Sequence, residues 1–499
     1  MSQKTSQKKF YVMTAIAYVN AAPHIGFAME LLQADALARY YRLNGYDVRF
    51  LTGTDEHGSK LYKLAKDEGV TPQEIVDRNV PKFLELLGAL NISNDDFIRT
   101  TSDRHKRGVL KIWNRLVENG DIYKSHYEGL YCVGCEAFVL EKDLVDGKCP
   151  LHKKEPEKLS EENYFFRLSK YSDQIRELIE RDEILILPAE RKKEMLNIIG
   201  EEGLRDVSFS RPKKVLPWGI PVPNEPDHVM YVWPDALVNY ISAVDVENEG
   251  QLFHYWPADL NIIGKDIVRF HAGIWVGMLL SAGYKPMKSI LVHGFVTSEG
   301  QKMSKSLGNV VDPFAYVNEF GADALRYYLM KEIPTTDDGD FTRDRFLNVY
   351  RSDLANSLGN LVFRVLSMTE KYFAGKVPEV SKKSPFADIA PSYAAAFEVR
   401  DLKVAAELVT KLIAGGNEYV DRTKPWSLAK TESPELGRVM YELLELLRLI
   451  AVYLTPFIPQ TAEKILKQLQ CTEMSTDWGK LIPGTSIAKG EPLFPKMEV

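Results

Sequence analysis

The chain of 499 residues carries 63 lysines and arginines against 69 aspartates and glutamates, which gives a formal net charge of −6. This balance argues against indiscriminate binding to nucleic acid, although a selective nucleic-acid partner that meets a local basic face stays compatible with it. The absence of an apolar run of about 20 residues excludes a spanning helix, and the polar first residues lack a signal-peptide core, so we expect a cytoplasmic protein.

The N-terminal part alternates strand-like and helical patterns. Residues 10–16 and 48–52 are predicted to be buried strands, and residues 27–44 between them carry apolar side chains at helical spacing. Two strands joined by a crossover helix imply parallel pairing, so the sequence predicts a doubly wound α/β sheet.

The α/β pattern is interrupted and then resumes. Strands at 261–263 and 289–293 flank a helix at 266–281, whereas only helical periodicity follows residue 350. The predicted order is a split α/β domain (1–118 and 211–349, with a lysine-containing loop at 298–309), an insertion (119–210), an all-α bundle (350–475) and a C-terminal extension (476–499).

The insertion contains a candidate metal site. Four residues form two close pairs separated by a loop, in the order Cys132-x2-Cys135-x13-Cys149-x2-His152. Such pairs converge tetrahedrally on zinc and leave no ligand position open, so the predicted site is structural. The alternative is a set of unrelated free thiols.

Two short motifs carry candidate phosphate chemistry. The first motif is Pro23-His24-Ile25-Gly26-Phe27, at the junction between a predicted strand and a predicted helix. The N–H groups at the N-terminus of a helix attract anions. Taken alone, this corner is equally compatible with a histidine that only caps the helix. Lys302-Met303-Ser304-Lys305-Ser306 lies on a glycine-bounded loop and could neutralise a polyphosphate, although an isolated loop of this kind is more often solvated surface.

Together the two motifs resemble the HIGH and KMSKS motifs of the class I aminoacyl-tRNA synthetases, with Phe27 in place of the final histidine of the first. Between about residues 10 and 430 the chain is similar to the methionyl-tRNA synthetase family in particular. The segments that carry this similarity are Tyr18-Val19-Asn20-Ala21-Ala22-Pro23, Thr52-Gly53-Thr54-Asp55-Glu56-His57-Gly58, Tyr231-Val232-Trp233-Pro234-Asp235-Ala236, Ile263-Gly264-Lys265-Asp266 and Val292-His293-Gly294.

The resemblance implies a Rossmann-type catalytic domain, a zinc knuckle, a stem-contact segment at about 320–349 and a helical domain that binds the anticodon of tRNA(Met). It implies catalysis by His24, Lys302 and Lys305, with Mg²⁺-bound ATP held by Pro23, His24, Gly26, Phe27, Gly264, Lys265, Asp266, Lys302, Ser304 and Lys305. Methionine would contact Ile16, Tyr18, Asp55, Trp233, Ala236, Tyr240 and His293. The anticodon would contact Asn360, Arg364 and Trp426. Phe27 implies a slower or altered activation step.

Two alternatives stay open at this point. The chain could be another class I synthetase or adenylyltransferase that shares the nucleotide corner, or a non-catalytic RNA-binding protein derived from a synthetase. By analogy with relatives that lack an appended β-barrel, we expect a monomer.

Overall fold

The computed structural model describes residues 7–132, 137–139, 141, 144–150, 153–303, 308–379, 381 and 383–495. The chain forms two units that are each discontinuous in sequence. The sheet unit comprises Met1–Pro23, Asp47–Leu87 and Asn94–His293, and the helical unit comprises His24–Tyr46, Gly88–Ser93 and Gly294–Val499.

The described strands are β1 (Lys9–Thr14), β2 (Ala17–Tyr18), β3 (Asp47–Asp55), β4 (Asp96–Arg99), β5 (Ile122–Cys132), β6 (Ala137–Val139), β7 (Glu157–Phe166), β8 (Leu185–Leu187), β9 (Val207–Ser208), β10 (Ser210–Pro212), β11 (Pro221–Val222), β12 (Glu225–Met230), β13 (Leu260–Gly264), β14 (Ser289–His293), β15 (Val296–Ser298), β16 (Gln301–Lys302) and β17 (Gly339–Phe341).

The described helices are α1 (Ile25–Leu43), α2 (Ser59–Glu68), α3 (Pro72–Ala89), α4 (Asp103–Glu118), α5 (Ser172–Glu180), α6 (Ala189–Ile199), α7 (Val232–Ala236), α8 (Asn239–Ser242), α9 (Val276–Ser281), α10 (Pro313–Phe320), α11 (Ala322–Lys331), α12 (Arg343–Val349), α13 (Asn360–Phe373), α14 (Ala390–Glu398), α15 (Leu402–Thr423), α16 (Pro425–Lys430), α17 (Glu435–Leu454) and α18 (Pro459–Gln468). None of them combines the length and apolar character needed to cross a bilayer.

The central sheet of the sheet unit is parallel, as predicted. β1 pairs with β3 on one side and with β13 on the other, β4 extends the sheet beyond β3, and β14 extends it beyond β13. The first strand therefore lies where the strand order reverses. Ligands of such folds bind outside the carboxyl ends of the strands at this point, so ligand contacts are expected from the residues that follow β1, β3 and β13.

One strand of this sheet comes from the predicted insertion. β8 pairs in parallel with β14, through the register of Ile186 with Ile290, so the chain returns to the central sheet at residues 185–187 before it leaves again. The short apolar run Leu185–Leu187 gives no periodicity that separates an edge strand from a loop. The rest of the insertion is more regular than the sequence indicates, because β5 and β7 form a long antiparallel pair with β6 and β9 at its edges.

The segment predicted as one helix at 266–281 is composite. It contains a 3-10 turn at Lys265–Ile267, a π-helical stretch at Phe270–Trp275 and α9. π-Helical turns are rare and often occur at functional sites, since the extra residue re-aims the side chains on one face.

The helical unit contains the predicted bundle, in which α15 packs against α14 and α17, and α17 against α18. α1 also belongs to this unit, where the Tyr40 ring stacks on Phe397 at 3.9 Å. The C-terminal extension, which the structure describes to residue 495, packs closely on the unit. Leu481 and Phe494 are buried, and Lys376 forms an isolated β-bridge with Ser486.

Candidate active site

A cavity of about 280 Å³ opens at the carboxyl ends of β1, β3 and β13 in the sheet unit. This volume lies just below the usual range for ligand pockets, about 300–1,000 Å³, and suits a ligand of amino-acid size. The residues that line the cavity are Ala15, Ile16, Tyr18, Asp55, Lys60, Val232, Trp233, Ala236, Leu237, Asn239, Tyr240, Asp266, Ile267, Arg269, Phe270 and His271. Six of the seven predicted methionine contacts are among them.

One wall of the cavity is aromatic. The rings of Trp233 and Phe270 stack nearly parallel with centroids 3.7 Å apart, and the Arg269 guanidinium lies 4.7 Å from the Phe270 ring. From β1, the buried Tyr11 hydroxyl donates to the Tyr240 carbonyl at 2.8 Å. The wall thus offers large polarizable surfaces, which is what a thioether can use, since its sulfur is only a weak hydrogen-bond acceptor.

His271 is a cavity residue that the sequence analysis missed. Its Nδ1 donates to the Ile267 carbonyl at 2.9 Å, so its Nε2 accepts from the Tyr240 hydroxyl at 2.8 Å. Burial lowers the pKa of His271 to about 4, which keeps the ring neutral at physiological pH. The hydroxyl proton of Tyr240 is therefore committed to the imidazole.

The predicted imidazole, His293, is not among the lining residues. It ends β14 in register with Gly264 of β13, and a Cβ built on Gly264 would lie 3.8 Å from the His293 ring. The sequence held a signal for the alternative, because Phe270-His271 follows the central strand β13 at the carboxyl edge, but the periodic pattern alone is typical of a core helix.

Two carboxylates line the cavity, the exposed Asp266 and the buried Asp55. Asp55 is the last residue of β3 and is 8% exposed, beside its strand pairing with Tyr18. The next residue, Glu56, turns away from the cavity into a buried network, where it accepts from Thr54, Arg99 and Thr101. This anchoring fixes the backbone on which Asp55 is presented.

In the helical unit, His24 caps α1. Its Nδ1 accepts from the Gly26 N–H at 3.1 Å, and desolvation lowers the pKa of the ring even though part of it is exposed. A neutral ring that accepts at Nδ1 carries its proton on Nε2, so capping and donation to a phosphate are compatible roles. A Cβ on Gly26 would lie 3.0 Å from the His24 ring, which explains the glycine.

The segment after the lysine loop reaches this corner within the same unit. The Ile25 N–H donates to the Val311 carbonyl at 3.2 Å. β15 and β16 form a hairpin through Glu299 and Gly300, both at positive φ, and Asp340 accepts from the Gly300 N–H at 2.7 Å. Ser304, Lys305 and the side chain of Lys302 lie outside the described residues.

Comparison with known proteins decides the family. Residues 10–158 and 139–366 match the family "tRNA synthetases class I (M)", and residues 383–498 match "Anticodon binding domain of methionyl tRNA ligase". The chain belongs to the methionyl-tRNA synthetase family. It is therefore an aminoacyl-tRNA synthetase, as the two motifs indicated, and a methionine–tRNA ligase, as the five similar segments indicated.

Individual relatives agree along nearly the whole chain. The methionine–tRNA ligase of Caldanaerobacter subterraneus subsp. tengcongensis is 45% identical over 99% of this chain and 80% of its own length. That of Brucella suis biovar 1 is 43% identical over 98% of both chains. The Mycobacterium tuberculosis methionyl-tRNA synthetase in complex with methionyl-adenylate superposes with a TM-score of 0.91 at 39% identity, covering 98% of this chain and all of that one.

The predicted anticodon residues of this synthetase lie together in the helical unit. The Arg364 guanidinium lies 5.7 Å from the Trp426 ring centroid and donates to Asp421 at 2.8 Å. Asn360 begins α13, one turn before Arg364 on the same face. Trp426 is partly exposed, directly after the buried Pro425.

The predicted zinc ligands are only half described. Cys132 and Cys149 are buried, whereas Cys135 and His152 lie outside the described residues. Cys132 ends β5 in register with Ala137 of β6, and backbone hydrogen bonds link Cys149 to Lys153 and Lys154. In the ranges that the structure covers, no group of three potential ligands comes together.

Proposed function

We propose that the sheet-unit cavity is the methionine site of this synthetase, which activates L-methionine with ATP to methionyl-adenylate and then transfers the methionyl group to tRNA(Met). The observation that carries this proposal is the cavity itself, which combines an aromatic wall with the buried strand-end carboxylate of Asp55. The cavity size and chemistry suit an ammonium at one end and a thioether at the other.

We assign the side chain of methionine to Trp233, Ala236 and Tyr240 and its ammonium to Asp55. The aromatic wall selects by shape and polarizability, so a ligand one methylene shorter loses only about 1–3 kcal/mol. Homocysteine is consequently a competitor that this pocket rejects only weakly. Holding the ammonium leaves the carboxylate free to attack the α-phosphorus of ATP, with pyrophosphate as the leaving group.

For ATP, we propose that the phosphates bind the N-terminus of α1 and the Nε2–H of His24, with Lys302 and Lys305 neutralising charge as pyrophosphate departs. The Ile25–Val311 hydrogen bond supports this role, since it ties the lysine-loop segment to the His24 corner. Mg²⁺ accompanies the nucleotide and neutralises part of its charge. The nucleotide roles of Gly264, Lys265 and Asp266, the monomeric state and the cytoplasmic location stay predictions.

The activation step is tested by ATP–pyrophosphate exchange with each of the twenty amino acids, in which only methionine is expected to support exchange. Lys305→Ala is expected to slow methionine-dependent exchange by about 100-fold while changing the methionine dissociation constant less than about twofold. The reason is that the Lys305 side chain stabilises the transition state and does not contact methionine in the ground state. Lys489→Ala, on the same unit, serves as the control with an unchanged rate. Equal losses in rate and in methionine affinity for Lys305→Ala would contradict the assignment.

For tRNA, we propose that Asn360 and Arg364 read anticodon base edges and that Trp426 stacks one unpaired base, a contact worth about 1–3 kcal/mol. Trp426→Ala is expected to raise the KM for tRNA(Met) by about tenfold or more in aminoacylation, because the stacking platform is lost. Pyrophosphate exchange without tRNA is expected to stay at the rate of the parent enzyme. A fall in exchange activity of the same size would show a folding defect in place of lost recognition.

We further propose that Cys132, Cys135, Cys149 and His152 hold one zinc ion, which cross-links the insertion and takes no part in bond making. The burial of Cys132 and Cys149 supports this proposal. Elemental analysis is expected to give one zinc per chain, reduced to background by Cys149→Ser. Unchanged zinc content in that variant would exclude this ligand set.

A further inference from the structure

A buried carboxylate lies directly behind the aromatic wall of the cavity. Asp235 is in α7 between the lining residues Trp233 and Ala236, and neither Asp235 nor its partners His57 and His105 line the cavity themselves. The reaction as assigned above does not use these three side chains, and charged groups are rarely left fully buried without a purpose in packing or positioning.

The three side chains form one cluster. The Asp235 carboxylate lies 2.6 Å from His57 Nδ1 through one oxygen and 2.8 Å from His105 Nε2 through the other. The side chains of Asp235 and His105 are fully buried, and that of His57 is 5% exposed. Burial opposes ionisation, yet the two imidazoles lower the pKa of Asp235 to about 2, so the carboxylate is charged at neutral pH.

Each imidazole links the Asp235 carboxylate to a different segment that carries cavity-lining residues. His57 follows the ammonium-binding Asp55 by two residues at the end of β3. His105 lies in the first turn of α4, and its Nδ1 is 3.0 Å from the Ser242 hydroxyl of α8, the helix that carries Tyr240. A Cβ on Gly108 would lie 2.6 Å from the Ser242 Cβ, so α4 and α8 are in close contact.

We propose that Asp235 is a positioning residue for methionine activation. Through its contacts with His57 and His105, Asp235 holds the side chains of Trp233 and Tyr240 at a fixed distance from Asp55. The cluster sets the span between the ammonium site and the thioether site. This inference rests on the assignment of the cavity to methionine.

The sheet unit offers a matched comparison. Asp121 is also a fully buried carboxylate, and it accepts from Lys170, Tyr171 and Ser281, but neither it nor these partners line the cavity. Loss of the Asp121 charge therefore perturbs folding in the same manner as loss of the Asp235 charge, but it leaves the residues around the cavity in place.

The first test compares Asp235→Asn with Asp121→Asn in pyrophosphate exchange by the full-length enzyme. Asp235→Asn is expected to raise the KM for methionine by about 10- to 100-fold, the cost of a misplaced binding group, and to change the KM for ATP less than about twofold. Asp121→Asn is expected to change neither KM. An unchanged methionine KM in Asp235→Asn, or equal changes in both KM values, would overturn the proposal.

A second pair of variants keeps the carboxylate and changes its partner. His57→Asn retains an amide donor near the position of Nδ1, whereas His57→Leu keeps the bulk and removes the donor. The methionine KM is expected to stay near that of the parent enzyme in His57→Asn and to rise by about tenfold in His57→Leu. Only His57→Leu leaves one buried oxygen of the Asp235 carboxylate without its hydrogen-bond donor. Equal KM values in the two variants would overturn the proposal. Asp55→Asn, assayed alongside, reports separately whether the cavity assignment itself holds, because it removes the proposed contact with the methionine ammonium.

Discussion

Replacing Asp55 by asparagine is expected to lower kcat/KM for methionine in pyrophosphate exchange by about 100-fold. The carboxylate lies at the end of β3 and is 8% exposed, so an ammonium that binds it is largely withdrawn from water. Hydrogen bonds between charged partners contribute about 1.5–3 kcal/mol each, and every 1.4 kcal/mol corresponds to a factor of ten. The KM for ATP is expected to stay within about twofold of the parent value.

A desamino analogue of methionine provides the control for this prediction. The analogue lacks the ammonium, so its inhibition constant is expected to be higher than that of methionine in the parent enzyme and nearly unchanged by Asp55→Asn. If the variant lost affinity for methionine and for the desamino analogue by the same factor, Asp55 would act on the shape of the cavity and not on the ammonium.

Replacing Arg326 by methionine is expected to lower the free energy of unfolding of the helical unit by about 3–5 kcal/mol, as seen when one partner of a buried ion pair is removed. Arg326 is 1% exposed and pairs with the fully buried Asp35 of α1 at 2.6 Å. It also donates to the carbonyls of Leu90 and Phe457. Burial opposes the ionisation of Asp35, but Arg326 and Arg39 outweigh it and hold the pKa of Asp35 below its usual value.

Urea denaturation followed by circular dichroism measures this loss. Arg343→Met is the matched control, because Arg343 forms an exposed pair with Glu319 and such pairs contribute about 0–1 kcal/mol. Combining Asp35→Leu with Arg326→Met is expected to recover part of the stability, since the Asp35 carboxylate is then no longer buried without the Arg326 guanidinium. A loss below about 1 kcal/mol in Arg326→Met would mean that water replaces the guanidinium.

The elements with strong periodicity were predictable from the sequence. The predicted strand at 289–293 coincides with β14, and the predicted helix at 27–44 corresponds to α1 within two residues at each end. Elements that depend on long-range pairing were not. β8 is three residues long and becomes a strand only because β14 accepts it, and local pattern carries no information about that partner.

In the cavity, too, some residues were predictable from the sequence and others were not. Ile16, Tyr18, Asp55, Trp233, Ala236 and Tyr240 were identified through family resemblance, and the structure brings all six to one cavity. His271 was missed because its single polar side chain lies in the apolar stretch Phe270–Trp275, where the helical pattern indicates core. Its role follows from its distance of 2.8 Å to the Tyr240 hydroxyl, and the two residues are 31 positions apart.

The sequence by itself determined the α/β class, the order of the two phosphate motifs, the helical C-terminal region and the family, because each of these rests on local pattern or short contiguous motifs. Only the tertiary structure decided which histidine lines the cavity of the sheet unit, which segment completes the central sheet, and which buried charges are paired. These depend on side chains far apart in the chain, and their burial and hydrogen bonding exist only once the chain has folded.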